Sequence, residues 1–293
     1  MMSLLFDYHV NYHSDSRNGT DLPFSIFSMT QQGLEHKKSS IGNQDSATLY
    51  LGRNILIGCV ADGCTGGNSL DRKSFNQVGA VVGGYLTVRL LRKLVLKNHV
   101  AVSELLPVFE KELMFHLRKL QRAVNPWRFE RDEVLRNLFL STLIFFVITK
   151  DEYMIANCGD GDVVVNGIHS NLGKEGGSYF ASNLIGIQNM KRVASPEEFN
   201  IRFHCISQGR SEDVRSMFIA TDGFLDGDIL QQNEFQRFFL STDISGNRNG
   251  FQDRRSEFRK DFLPPTLAVK NGRLWPQDDA TFISIRRVSK LDL

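Results

Sequence analysis

The sequence predicts an α+β protein, because stretches with the patterns of strands and of helices lie in separate blocks rather than in alternation. Apolar runs that end at turn-forming residues indicate strands near the beginning, in the middle and at the end of the chain. Between the first two of these blocks, apolar residues recur at the spacing of two long helices. A parallel sheet built from repeated βαβ units is therefore not expected.

The first block predicts one strand and one hairpin. Residues 24–31 alternate between apolar and polar side chains, as in a half-buried strand. Residues 46–51 and 55–61 form the arms of a hairpin that turns at Gly52-Arg53-Asn54. The second arm, ILIGCVA, is entirely apolar or small, which favours a fully buried strand, and it ends at Asp62.

Two helices are predicted after the hairpin. Residues 74–97 carry a face of valine, leucine and tyrosine side chains. Residues 103–122 carry a face of leucine and phenylalanine, with Ser103 as the N-terminal cap and Pro107 in the first turn, where proline is tolerated. Both apolar faces are expected to pack in the core.

The second half of the chain predicts more strands around a long connection. Residues 141–149 and 153–158 form a second hairpin. Residues 166–198 are rich in Gly, Ser and Asn and are interpreted as a long connection. The remaining predicted elements are strands at 163–165, 199–207, 217–221 and 280–288, and a helix at 229–240.

Composition narrows the class of protein. A formal net charge of +2 does not indicate the clustered basic surface that binds nucleic acid. The four cysteines contain no CxxC pair, which favours a reduced, cytoplasmic setting over disulfides or a zinc site. The N-terminus turns polar too early for a signal peptide, and the most apolar window, residues 138–149, is too short to cross a bilayer. We expect a soluble cytoplasmic protein that binds neither nucleic acid nor membranes.

Aspartates stand at the ends of the predicted strands. Three strands end in or beside Asp-Gly, in the segments VADG, NCGDG and ATDG. Asp45 precedes the first hairpin and Asp278 precedes the last strand, so Asp45 and Asp62 would lie at one end of two antiparallel neighbours. Carboxylates without a cation would repel one another there. A bound Mg²⁺ or Mn²⁺ would neutralise them, because these ions prefer ligands that are oxygen atoms. Two such ions about 4 Å apart can activate a water molecule and hold a phosphoryl group.

The ordered set NQDS, VADGCTGG, NCGDGD, ATDGFLDG and DDATFISI resembles the metal-dependent type-2C protein Ser/Thr phosphatases, over about residues 24–289. The resemblance implies a four-layer α-β-β-α sandwich of two antiparallel sheets flanked by helices. It also implies that residues 24–293 form a single phosphatase catalytic domain behind an N-terminal arm of residues 1–23. Phosphoprotein substrates, a cognate Ser/Thr kinase and hydrolysis by a metal-activated water at a binuclear Mn²⁺ or Mg²⁺ centre are implied as well.

The resemblance also implies roles for individual residues. Asp62 would bridge the two metals, and Asp62 and Asp222 would be the central catalytic aspartates. Asp278 is preferred to Asp279 as a ligand, because the family's acidic residue stands three places before the Thr matched by Thr281. The implied metal ligands are Asp45, Asp62, Asp222, Asp278 and the carbonyl of Gly63, with Asp160 and Asp226 for a third, weaker ion.

The chain departs from the family pattern at positions around the phosphate. Ser40 stands where many members have an Arg that binds the phosphate, and Lys37 or Lys38 could substitute for it. Cys64 stands where animal-type members have a His, and Gln44 where many members have Glu. A second interpretation therefore stays open, a weak or inactive pseudophosphatase that acts as a metal-binding, protein-interaction module.

Overall fold

The computed structural model describes residues 10–14, 21–39, 42–63, 76–124, 139–172, 203–223, 269–270, 273–274 and 278–287. In chain order the elements of this part are β1 (Val10–Ser14), β2 (Phe24–Gln31), α1 (Leu34–Lys38), β3 (Ser46–Gly52), β4 (Ile55–Ala61), α2 (Asn76–Leu96), α3 (Leu105–Val124), β5 (Leu143–Thr149), β6 (Glu152–Cys158), β7 (Asp162–Val165), β8 (Ile168–Asn171), β9 (His204–Arg210), β10 (Ser216–Ala220), β11 (Val269–Lys270), β12 (Arg273–Leu274) and β13 (Ala280–Arg287).

These strands form two large sheets and a separate two-stranded sheet, β11-β12. The first has the order β1-β3-β4-β5-β6-β9, and the second has the order β2-β13-β10-β7-β8. Paired strands are antiparallel except β1, which runs parallel to β3. The two central hairpins, β3-β4 and β5-β6, are formed as predicted, and each turns through two residues. Gly52, which was predicted in the first turn, is the last residue of β3.

The sheets pack face to face around an apolar core. Leu56 and Val60 of β4 point into this core, where they meet Ile219 of β10 and Ile283 of β13. Fully burying one such side chain contributes about 1.5–3 kcal/mol to the free energy of unfolding. The predicted α+β sandwich of two sheets is confirmed.

Helices α2 and α3 cover the outer face of the first sheet. Ile57 and Cys59 alternate with the residues of the inner core and pack against Leu91 of α2 and Phe109 of α3. On the outer face of the second sheet, the rings of Phe218 and Phe282 stack with centroids 5.3 Å apart. The helix predicted at 229–240 lies outside the described residues, and none of the described helices is long and apolar enough to cross a membrane.

Residues 10–14, within the predicted N-terminal arm, form β1 at the edge of the first sheet. Strand β3 is buried along its whole length. Without β1, its outer edge would leave buried N–H and C=O groups unpaired, which is costly. The domain boundary at residue 24 stays a prediction.

The predicted cap at Ser103 is wrong. Residues Val102–Glu104 form a 3₁₀ turn before α3, and this turn buries Val102. The N–H of Val102 donates to the carboxylate of Glu152 at 3.2 Å, so a distant side chain supplies the capping acceptor. Sequence spacing alone cannot show such a partner.

Two strands of the second half differ from prediction. Strand β8 lies inside the predicted long connection, and it is joined to β7 by Asn166 and Gly167, which both have positive φ. Asn-Gly is a strong local signal for a two-residue hairpin turn, so this strand was predictable. Strand β9 spans His204–Arg210 and so extends beyond the predicted end at residue 207, and a bulge opposite Ile155 and Ala156 shifts its register. The first residues of the predicted strand, 199–202, lie outside the described part.

Candidate metal centre

The strand ends that carry the aspartates meet at one end of the sandwich. In the first sheet, Ser46 pairs with Ala61, so Asp45 and Asp62 are neighbours just beyond the ladder. In the second sheet, the last residue of β10 and the first residue of β13 lie at this same end of the sandwich. Asp222 therefore comes just after the paired part of β10, and Asp278 comes just before β13. The expected juxtaposition of Asp45 and Asp62 is confirmed.

A chain of hydroxyl groups ties the two sheets together at this end. The hydroxyl of Thr221 donates to Oδ2 of Asp45 at 2.7 Å, and the N–H of Thr281 donates to that hydroxyl at 2.9 Å. The hydroxyl of Thr281 donates to Thr30 at 2.6 Å. Asn43 donates to Thr30 and accepts from the N–H of Asp45, so the backbone before β3 is held to the second sheet.

The aspartates act strongly on one another. Burial, followed by the charges of Asp222, Asp278 and Asp160, raises the pKa of Asp62 to about 8. Burial and then the charge of Asp62 hold the pKa of Asp45 well above its usual range. Carboxylates interact this way only when they are close and poorly solvated. The structure therefore brings together five of the six predicted aspartates, and the sixth, Asp226, lies outside the described residues.

Asp45 offers an acceptor that nothing in the described part of the chain satisfies. Its residue is only 2% exposed, and no described N–H or O–H donates to its Oδ1. A buried carboxylate oxygen without a donor is costly unless a cation contacts it. The residues present thus fit a hard divalent cation, whose preferred ligands are oxygen atoms.

Glycines let the backbone come close around the centre. Asp160 stands between Gly159 and Gly161, which have φ of 106° and 131°, conformations that other residues rarely adopt. A Cβ on Gly161 would lie 2.5 Å from the carbonyl oxygen of Ala220, so only glycine lets the loop of Asp160 approach β10. A Cβ on Gly223 would overlap the carbonyl of Asp279. Packing therefore explains the glycines of Asp160-Gly161 and Asp222-Gly223.

Asp278 and Asp279 have different surroundings. The side chain of Asp278 is 59% exposed and that of Asp279 is 1% exposed. The carboxylate of Asp279 accepts from the N–H of Gly33 at 2.6 Å and from the N–H of Gln44, and it pairs with Nδ1 of His36 at 2.8 Å. Asp279 is therefore an anchor for the segment before Asp45, while Asp278 is open to a ligand.

His36 is the residue that sequence reasoning missed. Its Nδ1 also lies 3.7 Å from Oδ1 of Asp278. Its pKa is raised, first by the hydrogen bond to Asp279 and then by the charges of Asp279, Asp278 and Asp62. The neighbouring Lys37 and Lys38 are the residues predicted for phosphate binding, and Lys38 is exposed. Nothing local marks His36, because its partner is 243 positions away.

Some of the predicted site residues lie within the described part of the chain and others lie outside it. Gly63 is buried, and its N–H donates to the carbonyl of Gln44 at 3.2 Å, which fixes the end of β4 against the segment before β3. The side chain of Lys37, and the residues Ser40 and Cys64, lie outside the described part. Their predicted roles stay predictions.

A second carboxylate–histidine pair lies beside Asp160. Asp162 is fully buried, and its Oδ1 lies 2.6 Å from Nε2 of His169. Burial raises the pKa of Asp162 to about 6, against the effect of this hydrogen bond. The pair connects β7 to β8 next to the centre.

Comparison with known protein families identifies the family of this chain. The family model described as Protein phosphatase 2C matches residues 32–263. The chain belongs to the protein phosphatase 2C family. The family predicted from the motifs, and with it the prediction of a phosphoprotein phosphatase, is confirmed.

Solved structures show the same fold as this type-2C phosphatase. A bacterial serine phosphatase is 14% identical with a TM-score of 0.53, over 90% of this chain and 98% of its own. The serine/threonine phosphatase Stp1 from Staphylococcus aureus is 15% identical with a TM-score of 0.52, over 92% of this chain and 96% of its own. No curated protein matches the chain. At these identities the likeness shows the fold alone.

The raised pKa values predict how the stability of the metal-free protein depends on pH. The folded state holds protons on Asp62 and Asp45 that the unfolded chain releases at about pH 4, so the free energy of unfolding should fall as pH rises toward about 8. Each extra bound proton gives a slope of about 1.4 kcal/mol per pH unit. The raised pKa of His36 also makes the free energy of unfolding fall as pH rises.

Urea unfolding in EDTA across this pH range measures the effect. The Asp62→Asn variant should have a shallower slope than the parent protein, because one of the titrating groups is gone. A free energy of unfolding that rises with pH in EDTA would contradict the assignment of a crowded, buried carboxylate cluster.

Proposed function

We propose that the chain hydrolyses phosphoserine or phosphothreonine in proteins, with a water activated at a binuclear Mn²⁺ or Mg²⁺ centre. The observation that carries the proposal is the meeting of Asp45, Asp62, Asp222 and Asp278 at one end of the sandwich, in a chain of this family. Their mutual repulsion in the metal-free protein is what bound cations would relieve.

The residues divide into ligands and supports. Asp62 and Asp222 would be the central ligands, with Asp45, Asp278 and the carbonyl of Gly63 beside them and with Asp160 and Asp226 for a third ion. Thr221 orients Asp45 through its hydroxyl, so that Oδ1 of Asp45 stays available. Bound Mn²⁺ or Mg²⁺ would lower the pKa of a water ligand and neutralise charge on the phosphoryl oxygens.

The setting of this activity is proposed to be the cytoplasm, with phosphoproteins as substrates and a cognate Ser/Thr kinase as the opposing enzyme. The cysteines support a reducing compartment. Cys59 and Cys158 are buried, and burial raises the pKa of the Cys158 thiol to about 12, which makes it unreactive.

The test compares hydrolysis of p-nitrophenyl phosphate and a phosphothreonine peptide in Mn²⁺, in Mg²⁺ and in EDTA. Asp222→Asn should abolish metal-dependent turnover. Asp151→Asn, the same change in the exposed β5-β6 turn, should not alter it. A folded protein that binds Mn²⁺ without turnover would contradict the proposal and favour the pseudophosphatase.

A further inference from the structure

The outer surface of the two long helices is strongly basic. Helices α2 and α3 contain seven Lys or Arg residues and two Glu, whereas the net charge of the whole chain is only +2. The carboxylate of Glu112 lies 3.2 Å from Nζ of Lys93, and that of Glu110 accepts from the N–H of Phe203 at 2.6 Å. Both acidic groups are therefore engaged within this chain, and cations dominate the exposed surface of the helix layer.

The exposed side of α3 combines its cations with an aromatic ring. The opposite side of this helix carries Phe109, Leu113 and Leu117, which are buried in the core beneath the first sheet's outer face. Phe115, by contrast, is 52% exposed, and Nζ of Lys119 lies 4.3 Å from the centre of its ring. The exposed residues recur at steps of three and four, which places them along one side of a helix. They are Val108, Lys111, Phe115, Lys119 and Arg122.

Cations of α2 lie beside this side of α3. The pKa of His116, which is half-buried on α3, is lowered first by burial. The charges of Lys119, Lys93 and Arg89 lower it as well, against the effect of Glu112. Charges act this strongly only over short distances, so the two helices place their cations around one part of the surface. We define the basic face as Arg89, Lys93, Lys111, Phe115, Lys119 and Arg122.

The distribution of apolar surface favours a protein partner over a membrane. A helix that lies in a membrane surface buries a continuous apolar face in the lipid. The continuous apolar face of α3 is already in the core, and the basic face offers one large apolar side chain, Phe115. An acidic protein segment needs only one apolar residue among its carboxylates to match this arrangement.

The distribution of charge favours a protein segment over a nucleic acid. The side chain of Glu112 is 34% exposed and lies beside Lys93 on the basic face. A nucleic acid carries a phosphate at every step of its backbone and would meet this carboxylate, whereas a peptide can place a neutral residue opposite it. Aromatic residues and Arg are also enriched where proteins contact one another.

We propose that the basic face binds an acidic segment of a partner protein, whose carboxylates pair with the Lys and Arg side chains and whose apolar residue packs on Phe115. Complementary charge supplies the attraction, and the aromatic ring supplies a contact that a purely ionic partner would not use. The basic face is formed by the helices and the metal centre by the ends of strands. The inference therefore goes beyond the proposed function and does not depend on it.

Fluorescence anisotropy of a labelled peptide tests the proposal on the full chain. The probe is a short peptide in which Glu residues flank one Leu, and its control has Gln in place of each Glu. The acidic peptide alone should bind, and less tightly as salt screens the charges. Lys111→Glu/Lys119→Glu should weaken binding by about tenfold or more, because two attractions become repulsions. Phe115→Ala should weaken it by about fivefold without any change of charge.

Lys150→Glu/Arg215→Glu is the matched control, because it changes the net charge equally at exposed positions outside the helices. It should alter binding by no more than about twofold, since distant charges are screened. Lys111→Gln/Lys119→Gln introduces no new charge on α3 and should show a smaller loss than the Glu variant. Thermal unfolding verifies that each variant is folded before its binding is compared.

An equal loss in the two Glu variants would overturn the proposal, because net charge alone would then explain the binding. Unchanged binding by Phe115→Ala would also overturn it, as would a parent protein that does not bind the acidic peptide. Vesicles that contain phosphatidylserine and a single-stranded RNA are measured in parallel. If either bound more tightly than the peptide and lost its binding in Lys111→Glu/Lys119→Glu, the proposal would be overturned in favour of a membrane or a nucleic acid.

Discussion

Replacing Asp62 by Asn is expected to stabilise the metal-free protein and to abolish metal-dependent turnover. Without cations, the Asp62 carboxylate is desolvated and faces the charges of Asp222, Asp278 and Asp160. An amide of the same shape removes that repulsion, so the free energy of unfolding in EDTA near pH 8 should rise by about 1–2 kcal/mol. Turnover should fall by about a thousandfold, equivalent to about 4 kcal/mol of barrier, because a central ligand of the proposed metal centre would be lost.

Urea unfolding with and without Mn²⁺ measures the change in stability and its dependence on the metal, and hydrolysis of p-nitrophenyl phosphate measures turnover. The parent protein should gain stability from Mn²⁺, and Asp62→Asn should lose most of that gain, since a ligand stabilises only the state that binds it. Asp151→Asn, far from the centre in a surface turn, should behave like the parent. An Asp62→Asn variant that is less stable in EDTA would show that this carboxylate supports the fold rather than a metal.

Asp278 and Asp279 should respond in opposite ways to replacement by alanine. Asp279→Ala leaves the buried N–H groups of Gly33 and Gln44 without an acceptor and should lower the free energy of unfolding by about 2–4 kcal/mol. Asp278→Ala removes an exposed side chain and should change stability in EDTA by about 0.5 kcal/mol or less. The same variant should weaken Mn²⁺ binding by about tenfold or more.

Unfolding in EDTA and calorimetric titration with Mn²⁺ make this comparison. The two adjacent aspartates serve as controls for each other, because the chemical change is identical. If Asp278→Ala proved strongly destabilising and Asp279→Ala only weakened Mn²⁺ binding, the assignment of Asp278 as the ligand would be wrong.

The parts of the centre that the sequence predicted are those set by local geometry. Asp45 and Asp62 flank a tight hairpin, so antiparallel pairing of its arms alone places them side by side. The missed strand β8 also had a local signal, the Asn-Gly turn before it. These features follow from strand period and turn chemistry.

The parts that could not be predicted depend on distant partners. His36 is held in place by Asp279, and Asp279 is an anchor only because the fold brings Gly33 and Gln44 to it. Similarly, the turn before α3 is capped by Glu152 from another hairpin. Local propensity carries no information about such contacts, whereas it predicts the strands that support them.

A crystal structure of the protein soaked in Mn²⁺, with the ions located by anomalous scattering, tests whether the aspartates hold a binuclear metal centre. We expect two peaks about 4 Å apart near Asp62, with Asp45, Asp222 and Asp278 as further ligands. A peak held only by His36, Asp278 and Asp279, whose ligand atoms lie within 4.8 Å of one another, would contradict it. The absence of any peak near Asp62 would contradict it as well.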